Sequence, residues 1–559
     1  MATPSSGLGS IEQALGADPT VNALLYGTRW ASGAVSYSFL TSTSSFSTDP
    51  TIGYGSPSAE PWSFRFGVFG SQAQAAATSA LAKWANVAQI TFQLLPDSGN
   101  TCGDIRFGFS DIGDAQAHAY SPGQASGGDV WFSYTERSRS FAEGTYNYLT
   151  MVHETGHALG LKHPFSGVPG NAAVLGAALD NLSNTVMSYS AASGDIDSDF
   201  TYRPTTPMRL DILAMQQLYG ANASYNAGDS AYVFAQGADY HQTVWDGGGI
   251  DAFSYSGADN CVIDLRSGAG STMGNAVFVL NAVGARTTQV SNIWIADAAT
   301  IENATGGAGN DRVTGNGVAN KLDGGAGTDT LQGAAANDRI EGGAGVDIAL
   351  YGGAAADYVV LFNSATGRYT VADRLAARDG IDVVSGVEQF QFSDGARGAS
   401  ALAIAAPVQG TARIVLGISE AFYGFAPGSS QYQASATTVA TEGASAFALA
   451  VGRGFTEVPS AQLAADVLLR LGIEANTLGG AVPGESYTAL RDAVDIIFTV
   501  YSVARGQVVL NLVNLLANLE GDAVYGQAAA TLAGRLTIDY NNLGPVALAG
   551  IAEPAWTGV

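Results

Sequence analysis

The sequence predicts a multidomain protein with an α+β domain, an all-β parallel β-roll domain and a mainly α C-terminal domain, in that order. Its 559 residues are too many for a single hydrophobic core. A glycine-rich repeat of nine residues begins at Gly306, and from about residue 401 the chain is rich in alanine and leucine with helical periodicity. These observations predict four segments: a short leader at 1–20 and three domains at 21–222, 223–400 and 401–559.

The composition excludes some classes of partner. The chain has 49 acidic and 24 basic residues, and its formal net charge of -25 disfavours nucleic acids and favours divalent cations. No run of about 18 apolar residues predicts a transmembrane segment, and residues 1–18 lack the basic and apolar regions of a Sec signal peptide. Two cysteines, Cys102 and Cys261, are enough for one disulfide but not for a cysteine-built scaffold.

The segment 21–222 mixes strand and helix patterns, whereas the small, polar leader before it is predicted to be loose. Alternating apolar residues predict strands at 34–39 and 104–109, with a further short strand at 127–132. An alanine-rich run predicts a helix at 72–87. A second helix is predicted from Tyr146 to Leu159, where Gly160 supplies a normal C-terminal stop signal.

A histidine motif on this second helix predicts a catalytic zinc site. His153 and His157 are four residues apart and therefore share a helix face, while Gly160 allows the turn that brings His163 to the same ion. Three protein ligands leave one zinc position open, as in catalytic sites. Glu154 is then the predicted general base towards the attacking water and proton donor to the leaving amine. Three of only five histidines fall within this motif, so ordinary helix histidines are a poor explanation.

Met187 and Tyr189 follow the histidine motif in the segment 184–189. His-Glu-x-x-His-x-x-Gly-x-x-His followed by such a methionine is the metzincin signature, in which the methionine forms an apolar floor beneath the zinc. Tyr189 is predicted to lie near the zinc, as an extra ligand or as a hydrogen-bond donor to the oxyanion. His118 and His241 lack metal-ligand spacing and are interpreted as structural.

The nine-residue repeat predicts a calcium-binding β-roll of the RTX type. Five units follow in phase from Gly306, and a looser sixth begins at Gly352. Glycine carbonyls and aspartate oxygens suit Ca²⁺, and an apolar eighth residue fills a thin core. The predicted calcium residues are Gly307, Gly309, Asp311, Asn320, Gly325, Gly327, Asp329, Asp338, Gly343, Gly345 and Asp347, and the eighth residues are Val313, Leu322, Leu331, Ile340 and Ala349.

Two repeats per coil would stack alternate units in two rows. Asp311, Asp329 and Asp347 form one row, and Asn320 and Asp338 form the other. Fuller calcium occupancy is expected on the first row, because in the second row Asn320 carries no charge and alanines replace glycines at 334 and 336. A flexible glycine-rich linker would not keep the acidic and apolar positions in phase.

These motifs together resemble the serralysin family of metzincin zinc metalloproteases over about residues 20–400. Further similar segments are 23–30, 208–220, 243–251 and 301–304. The resemblance implies one catalytic zinc, several structural calcium ions, and a further calcium at Asp246 and Asp251. It also implies export by a type I secretion system, an extracellular location, and protein or peptide substrates. The leader 1–20 is then a short propeptide.

The segment 401–559 departs from the family, whose members usually end soon after the β-roll. Three alternatives stay open for it: an anchor, a lid that restrains the active site, or a helical module for export or solubility. The anchor alternative depends on a faint resemblance of 421–427 to helical anchoring regions of bacterial surface-layer proteins. The sequence therefore predicts a secreted zinc endopeptidase; a calcium-stabilised surface-binding protein is the alternative, and cell-surface association is compatible with both.

Overall fold

The structure, a computed structural model, describes residues 9–55, 60–123, 125–375, 377–478 and 483–543. It contains two compact units. The first comprises the described residues up to Asp229 together with Ala235–Gly249 and Ser267–Thr300. The second comprises Ser230–Phe234, Ile250–Arg266 and the described residues from Ile301 onwards. The predicted domain boundaries stay predictions.

The helices and strands are as follows in chain order. The helices are α1 (Pro19–Asn22), α2 (Ser71–Val87), α3 (Tyr146–Leu159), α4 (Arg209–Tyr219), α5 (Gly410–Tyr423), α6 (Ser429–Glu442), α7 (Ala444–Gly452), α8 (Ser460–Arg470), α9 (Pro483–Val500), α10 (Arg505–Leu516) and α11 (Gly526–Asn542). The strands are β1 (Ser10–Glu12), β2 (Thr28–Trp30), β3 (Ala34–Phe39), β4 (Thr91–Leu94), β5 (Ile105–Ser110), β6 (Ala117–Ala119), β7 (Asp129–Ser133), β8 (Asp199–Phe200), β9 (Ala231–Phe234), β10 (Gln242–Val244), β11 (Ala252–Tyr255), β12 (Val262–Asp264), β13 (Gly270–Ser271), β14 (Val277–Leu280), β15 (Arg286–Val290), β16 (Ile293–Ile295), β17 (Asn303–Thr305), β18 (Arg312–Thr314), β19 (Lys321–Asp323), β20 (Ala326–Gly327), β21 (Thr330–Gln332), β22 (Arg339–Glu341), β23 (Ala344–Gly345), β24 (Ile348–Leu350), β25 (Tyr358–Asn363), β26 (Arg368–Asp373), β27 (Ile381–Ser385), β28 (Gln389–Phe392) and β29 (Gly395–Gly398).

A mixed sheet and two helices position the histidine motif in the first unit. Within the described residues the sheet order is β4-β3-β5-β7-β6, parallel except for β6, which pairs antiparallel with β7 at one edge. The strands and helices predicted in this segment are confirmed. Buried Trp84 on α2 donates a hydrogen bond to the carbonyl of Val152 on α3 at 3.1 Å, which fixes the two helices against each other. Helix α3 begins after Thr145 and ends at Gly160, as its sequence predicts.

The prediction of a loose leader is wrong for part of residues 1–20. Strand β1 pairs antiparallel with β2, and helix α1 begins at Pro19 with Asp18 as its side-chain cap. The backbone pairing along β1 gives this polar segment an ordered place that its composition does not indicate, because main-chain hydrogen bonds need no apolar side chains. Residues 1–8 lie outside the described residues.

Parallel sheets with a regular repeat form the first part of the second unit. One sheet contains β9, β11, β17, β19 and β22 in adjacent positions, and another contains β12, β18, β21 and β24. Within each sheet, successive strands of the repeat region are 18 residues apart, so two nine-residue repeats make one coil. The five predicted eighth residues are all buried, at 1% exposure or less.

The looser sixth repeat predicted at Gly352 is wrong. The chain there leaves the repeat and forms an antiparallel hairpin of β25 and β26, after which β27 pairs parallel with β22 and β28 pairs parallel with β24. The hairpin carries apolar residues on successive positions, such as Val359, Val360 and Leu361, and pairs antiparallel along six residues. Such a pattern does not fit the single apolar position of the repeat.

Helices α5 to α11 make the rest of the described part of the second unit. They share one buried apolar cluster, and Ala533 and Ile538 of α11 pack against a second cluster that contains Val359 and Leu361 of the hairpin and Ile381 of β27. The stretch from 487 to 519 belongs to the segment with helical periodicity, which predicts one long helix there; it instead forms two helices, α9 and α10, bent by 100° at a break around Tyr501. None of the described helices is by itself long and apolar enough to cross a membrane, although this bent pair passes that criterion by length and composition.

Candidate metal centre and catalytic site

The structure brings the three motif histidines together. His153 and His157 lie on one face of α3, and their Nε2 atoms lie 3.2 Å and 3.0 Å from Nε2 of His163. Gly160 makes the turn between His157 and His163 with φ 112°, and a Cβ there would lie 2.4 Å from the carbonyl oxygen of Thr28. Gly160 is therefore required both for its left-handed backbone and for this close approach.

The hydrogen bonds of these histidines test whether the site fits a metal ion. Nδ1 of His153 lies 2.7 Å from the carbonyl oxygen of Val186, and Nδ1 of His157 lies 2.9 Å from that of Leu161. Carbonyl oxygens only accept, so both Nδ1 atoms carry the proton and both Nε2 atoms present lone pairs. The three Nε2 atoms converge at a spacing close to the roughly 3.3 Å between ligands of a tetrahedral zinc, so the cluster fits a metal ion.

The protonation of the histidines favours the same interpretation. Burial, together with the neighbouring His163, lowers the pKa of His153 to about 3. Burial also lowers the pKa of His157 well below its usual value and that of His163 to about 4. All three imidazoles are therefore neutral near pH 7, the form that binds a metal ion.

Glu154 presents an unused carboxylate oxygen beside this cluster. Its side chain is buried, at 5% exposure, and within the described residues its Oε2 atom has no hydrogen-bond partner. Burial raises its pKa to about 8, whereas a divalent cation at the histidines would favour its ionised form. An unpartnered oxygen at this place is available to a water molecule or a substrate.

The turn that contains Met187 packs against α3, the helix that carries His153 and His157. Met187 is fully buried, and its Sδ atom would lie 2.8 Å from a Cβ at Gly156 on α3. Asp211 on α4 holds the turn, because its carboxylate accepts hydrogen bonds from Thr185 Oγ1 at 2.5 Å and from the backbone N–H of Val186 at 2.7 Å. The carbonyl of Val186 in turn accepts a hydrogen bond from His153. Asp211 therefore helps to position His153, a candidate metal ligand, by way of Val186.

Tyr189 and an aromatic neighbour flank the third histidine. The Tyr189 hydroxyl lies 2.9 Å from Nε2 of His163, and burial raises the pKa of this phenol to about 12. The ring of Phe165 stacks on that of His163 with centroids 5.1 Å apart and 8° between their planes. The structure thus places Tyr189 beside His163, and its predicted role towards a zinc ion stays a prediction; no motif identifies Phe165.

Lys162 is a second residue that sequence reasoning missed. Its ammonium is buried and donates hydrogen bonds to the carbonyl oxygens of Ala23 at 2.6 Å, Ala173 at 2.8 Å and Ser166 at 2.9 Å. It thereby ties the loop after His163 to the segment before β2. A lysine next to a candidate ligand was the available signal, but only the fold reveals the three carbonyls.

The other histidines and both cysteines lie outside this cluster. Nε2 of His118 lies 3.3 Å from Glu60, and buried His241 stacks on Trp294 at 5.5 Å between ring centroids. Cys102 and Cys261 do not form a disulfide in the part of the chain that the structure describes.

The repeat acids form two ladders in the second unit. Within a row, the carboxylate of a repeat accepts a hydrogen bond from the backbone N–H of the row residue one coil earlier. Asp329 accepts from Asp311 at 2.7 Å, and Asp347 accepts from Asp329 at 2.8 Å. In the other row, Asp338 accepts from Asn320 at 2.8 Å. The rows therefore contain the residues that the two-repeat coil predicts.

The free atoms of these ladders fit calcium. Within the described residues, the second carboxylate oxygens of Asp329, Asp338 and Asp347 are buried without a hydrogen-bond partner. Gly343 and Gly345 have positive φ, and a Cβ at either would lie within 2.0 Å of a glycine carbonyl oxygen one coil earlier. The donor set is thus carboxylate and carbonyl oxygen, which Ca²⁺ prefers.

Four predicted calcium residues have other surroundings. The Asn320 amide donates to the carbonyl of Glu302 at 2.7 Å, so a nitrogen lies where the other row members present an oxygen. Gly307 and Gly309 approach the backbone of Gly257 and Asp259 rather than another repeat. Asp246 belongs to the first unit, where its carboxylate accepts a hydrogen bond from the Gly248 N–H.

Asp251 and three unpredicted acids belong to the ladders. Glu302 accepts from the Asp251 N–H at 2.7 Å, Asp382 accepts from Asp338 at 3.0 Å, and Glu388 accepts from Asp347 at 2.8 Å. None of these three acids follows a Gly-Gly-x-Gly pattern, so the nine-residue repeat does not identify them. Their common signal is an acidic residue directly before a residue that pairs in a parallel strand.

Comparisons with known proteins agree with this geometry. Residues 68–169 match the Matrixin family model, and residues 210–402 match the model of the serralysin C terminus of peptidase family M10. The chain is 34% identical over 285 residues to Metalloprotease AprA of Pseudomonas entomophila, which covers 46% of this chain and 56% of that protein. It is 35% identical over 260 residues to Serralysin C of Dickeya chrysanthemi, covering 42% and 51%. For Serralysin of Proteus mirabilis the values are 35% over 284 residues, covering 44% and 54%.

The chain therefore spans about half the length of the curated relatives that it matches. The three motif histidines lie within the Matrixin match, and the nine-residue repeats lie within the serralysin C-terminal match. The match to the Matrixin model is thus followed along the chain by the match to the serralysin C-terminal model, and the chain is similar to serralysins, a family of metzincins.

Proposed function

We propose that this protein is a secreted zinc-dependent endopeptidase that hydrolyses peptide bonds of extracellular or cell-surface proteins. The observation that carries the proposal is the convergence of the Nε2 atoms of His153, His157 and His163 beside the unpartnered Oε2 atom of Glu154. The relatives named as metalloprotease and serralysin support the same activity.

His153, His157 and His163 would hold one zinc ion, which supplies a Lewis acid for the scissile carbonyl and lowers the pKa of a water molecule. Glu154 removes a proton from the attacking water and delivers it to the leaving amine. Its buried position keeps bulk water away and leaves an oxygen ready to accept. The Tyr189 hydroxyl, beside His163, donates a hydrogen bond to the oxygen that gains negative charge.

Strand β6 gives a peptide substrate a place to lie. It forms the edge of the mixed sheet, and Ala117 at its start lines the same cavity as His153 and Glu154. An extended peptide that adds to this edge runs past the catalytic pair with its main chain fixed by hydrogen bonds. This arrangement supports cleavage within a chain.

We also propose that the repeat region is an RTX-type parallel β-roll whose ladders bind calcium for folding and stability. The 18-residue strand spacing and the buried, unpartnered carboxylate oxygens support it. Calcium-dependent folding suits export by a type I secretion system into calcium-rich medium. Asp246 in the first unit and Asp251 in the second remain proposed calcium ligands.

The helices from α5 onwards keep their three proposed roles: anchor to a bacterial surface layer or cell surface, lid, or module for export or solubility. Residues exposed near the break between α9 and α10, such as Val500, Tyr501 and Val503, favour a binding role. A chain truncated after Ser400 separates the roles. Higher activity than the full chain would indicate a lid, and equal activity would indicate anchoring or export.

Casein hydrolysis by the full-length protein in zinc and calcium tests the proposed activity. Glu154→Gln keeps the shape of the side chain, and we expect at least about a 100-fold loss of kcat/KM with unchanged zinc content. Glu143→Gln, on the exposed loop before α3, is the matched control and should retain activity. Undiminished hydrolysis by Glu154→Gln, or by protein stripped of metal, would rule the mechanism out.

A further inference from the structure

A cavity of about 460 Å³ lies beside the catalytic pair in the first unit. Glu154 and His153 line it, and its buried apolar wall consists of Leu149, Leu182 and Val186. Its volume is ample for a long amino-acid side chain. The cavity is therefore the natural place for a substrate side chain next to the scissile bond.

Arg203 is the one guanidinium among the residues that line this cavity. Its Nη2 atom pairs with the carboxylate of Asp199, and its guanidinium carbon lies 5.3 Å from the ring centroid of Tyr146. These contacts fix the plane of the guanidinium. Within the described residues no hydrogen bond engages Nη1, and Nε is buried without a partner, so donors remain unused.

The position of Glu154 decides which substrate residue enters the cavity. In the proposed function, Glu154 delivers a proton to the leaving amine, so the residue that supplies this amine lies on the Glu154 side. The cavity lies on this side of the histidine cluster, because Glu154 lines it whereas Phe165, which stacks on His163, does not. The side chain directly after the scissile bond therefore enters the cavity.

The charges around Arg203 decide what this side chain carries at its end. Asp199 pairs with the guanidinium, and Asp197 also lines the cavity, so there is no excess of positive charge to attract a carboxylate. The unused N–H groups nevertheless need an acceptor, and burial of apolar atoms against them would leave donors unsatisfied. An uncharged amide oxygen meets both conditions.

We propose that Arg203 is a specificity-determining residue that favours glutamine directly after the scissile bond. The amide oxygen of glutamine accepts from the guanidinium, while its methylene groups pack on Leu149 and Val186. Methionine has a similar length and apolar stem but only a weakly accepting sulfur, so it loses this bond. This inference rests on the proposed peptidase function.

Three peptides that differ only at the residue after the scissile bond, glutamine, methionine or glutamate, test it with the full-length zinc- and calcium-loaded protein. We expect kcat/KM for glutamine to exceed that for methionine by about tenfold, the factor given by 1.4 kcal/mol, and also to exceed that for glutamate. Arg203→Met should abolish the preference for glutamine over methionine. Arg137→Met, at an exposed arginine outside the cavity, should retain it.

The ratio of two substrates for one preparation is independent of the fraction of active enzyme. If the Arg203→Met variant does not fold, Arg203→Lys replaces it in the test, because it keeps a cation opposite Asp199. It should reduce the ratio of kcat/KM for glutamine to that for methionine, because lysine lacks the planar guanidinium. A wild-type ratio near one, or an unchanged ratio in both Arg203 variants, would overturn the inference alone. Absence of cleavage of all three peptides and of casein would instead overturn the proposed function.

Discussion

The buried ammonium of Lys162 lies 2.6 Å from the carbonyl oxygen of Ala23, and no carboxylate pairs with it in the part of the chain that the structure describes. Backbone carbonyls from three separate segments hold it. The lysine therefore acts as a fixed cation around which the loop that presents His163 is folded.

Lys162→Met should destabilise the first unit by about 3 kcal/mol, because it leaves several buried carbonyls without a donor. Urea unfolding followed by tryptophan fluorescence measures this. Lys83→Met removes a partly exposed lysine that pairs with Glu143 and should cost less than about 1 kcal/mol. Equal effects of the two substitutions would contradict the role of the carbonyl cluster.

Gly160→Ala should lower both stability and zinc content. Besides the strain of its positive φ, its Cβ would lie 2.4 Å from the Thr28 carbonyl oxygen, so the turn before His163 must shift. We expect a loss of about 3 kcal/mol or more, against about 1 kcal/mol for Gly170→Ala, whose φ of 83° is similar but whose Cβ meets open space. Metal analysis after dialysis reports the zinc; full zinc content in the Gly160 variant would be the contrary result.

Asp211→Asn should disturb the turn at Met187 without touching a metal ligand. The carboxylate accepts hydrogen bonds from Thr185, Val186 and Met208 through both of its oxygens. An asparagine amide has only one oxygen, so at least one of these three donors would lose its acceptor. We expect a loss of about 2 kcal/mol in unfolding free energy and a weaker zinc affinity. Asp297→Asn, at the partly exposed pair with Arg209, is the control. If both variants bind zinc as the parent does, Asp211 has no positioning role.

Asp329→Asn should have opposite effects with and without calcium. Its Oδ1 atom would still accept from Asp311, while an amide group replaces the buried unpartnered Oδ2. In a chelator the variant should melt at an equal or higher temperature, because it removes one of several neighbouring buried carboxylates. In calcium it should bind the ion at least about tenfold more weakly and melt earlier. The control is Asp394→Asn, at an exposed aspartate that pairs with Arg397 outside the ladders. If the Asp329 variant melts as this control does in both conditions, the row does not bind calcium.

Truncation after Ser400 should lower the melting temperature of the second unit. Helix α11 packs against Val359 and Leu361 of the hairpin and Ile381 of β27, and its removal exposes these side chains to water. Burial of each contributes up to about 1.5–3 kcal/mol, so a shift of several degrees is expected by calorimetry in saturating calcium. An unchanged transition would mean that the hairpin is stable without the helices.

The parts of the molecule that short-range rules govern were predictable. Helix α3, its stop at Gly160 and the convergence of the three histidines follow from helical periodicity and one glycine. The stacking of Asp311, Asp329 and Asp347 follows from a fixed repeat.

The rest depends on partners distant in sequence. Lys162 acquires its role from Ala23, and Arg203 from a cavity built by three segments. Asp382 joins its ladder 44 residues after Asp338, across a hairpin that no repeat pattern indicates. The break between α9 and α10 likewise falls in a continuous apolar run, where periodicity alone predicts an unbroken helix.

The hydrogen bond from each ladder acid to the next has an evolutionary consequence. Loss or gain of a single nine-residue unit would shift every later strand into the opposite sheet, whereas a change of 18 residues alters the number of coils and leaves all others in place. Between coils, by contrast, the chain accommodates an inserted hairpin, because Asp382 and Glu388 continue the two ladders after it. The number of repeats can therefore change only in units of one 18-residue coil, whereas an insertion between coils leaves the ladders intact.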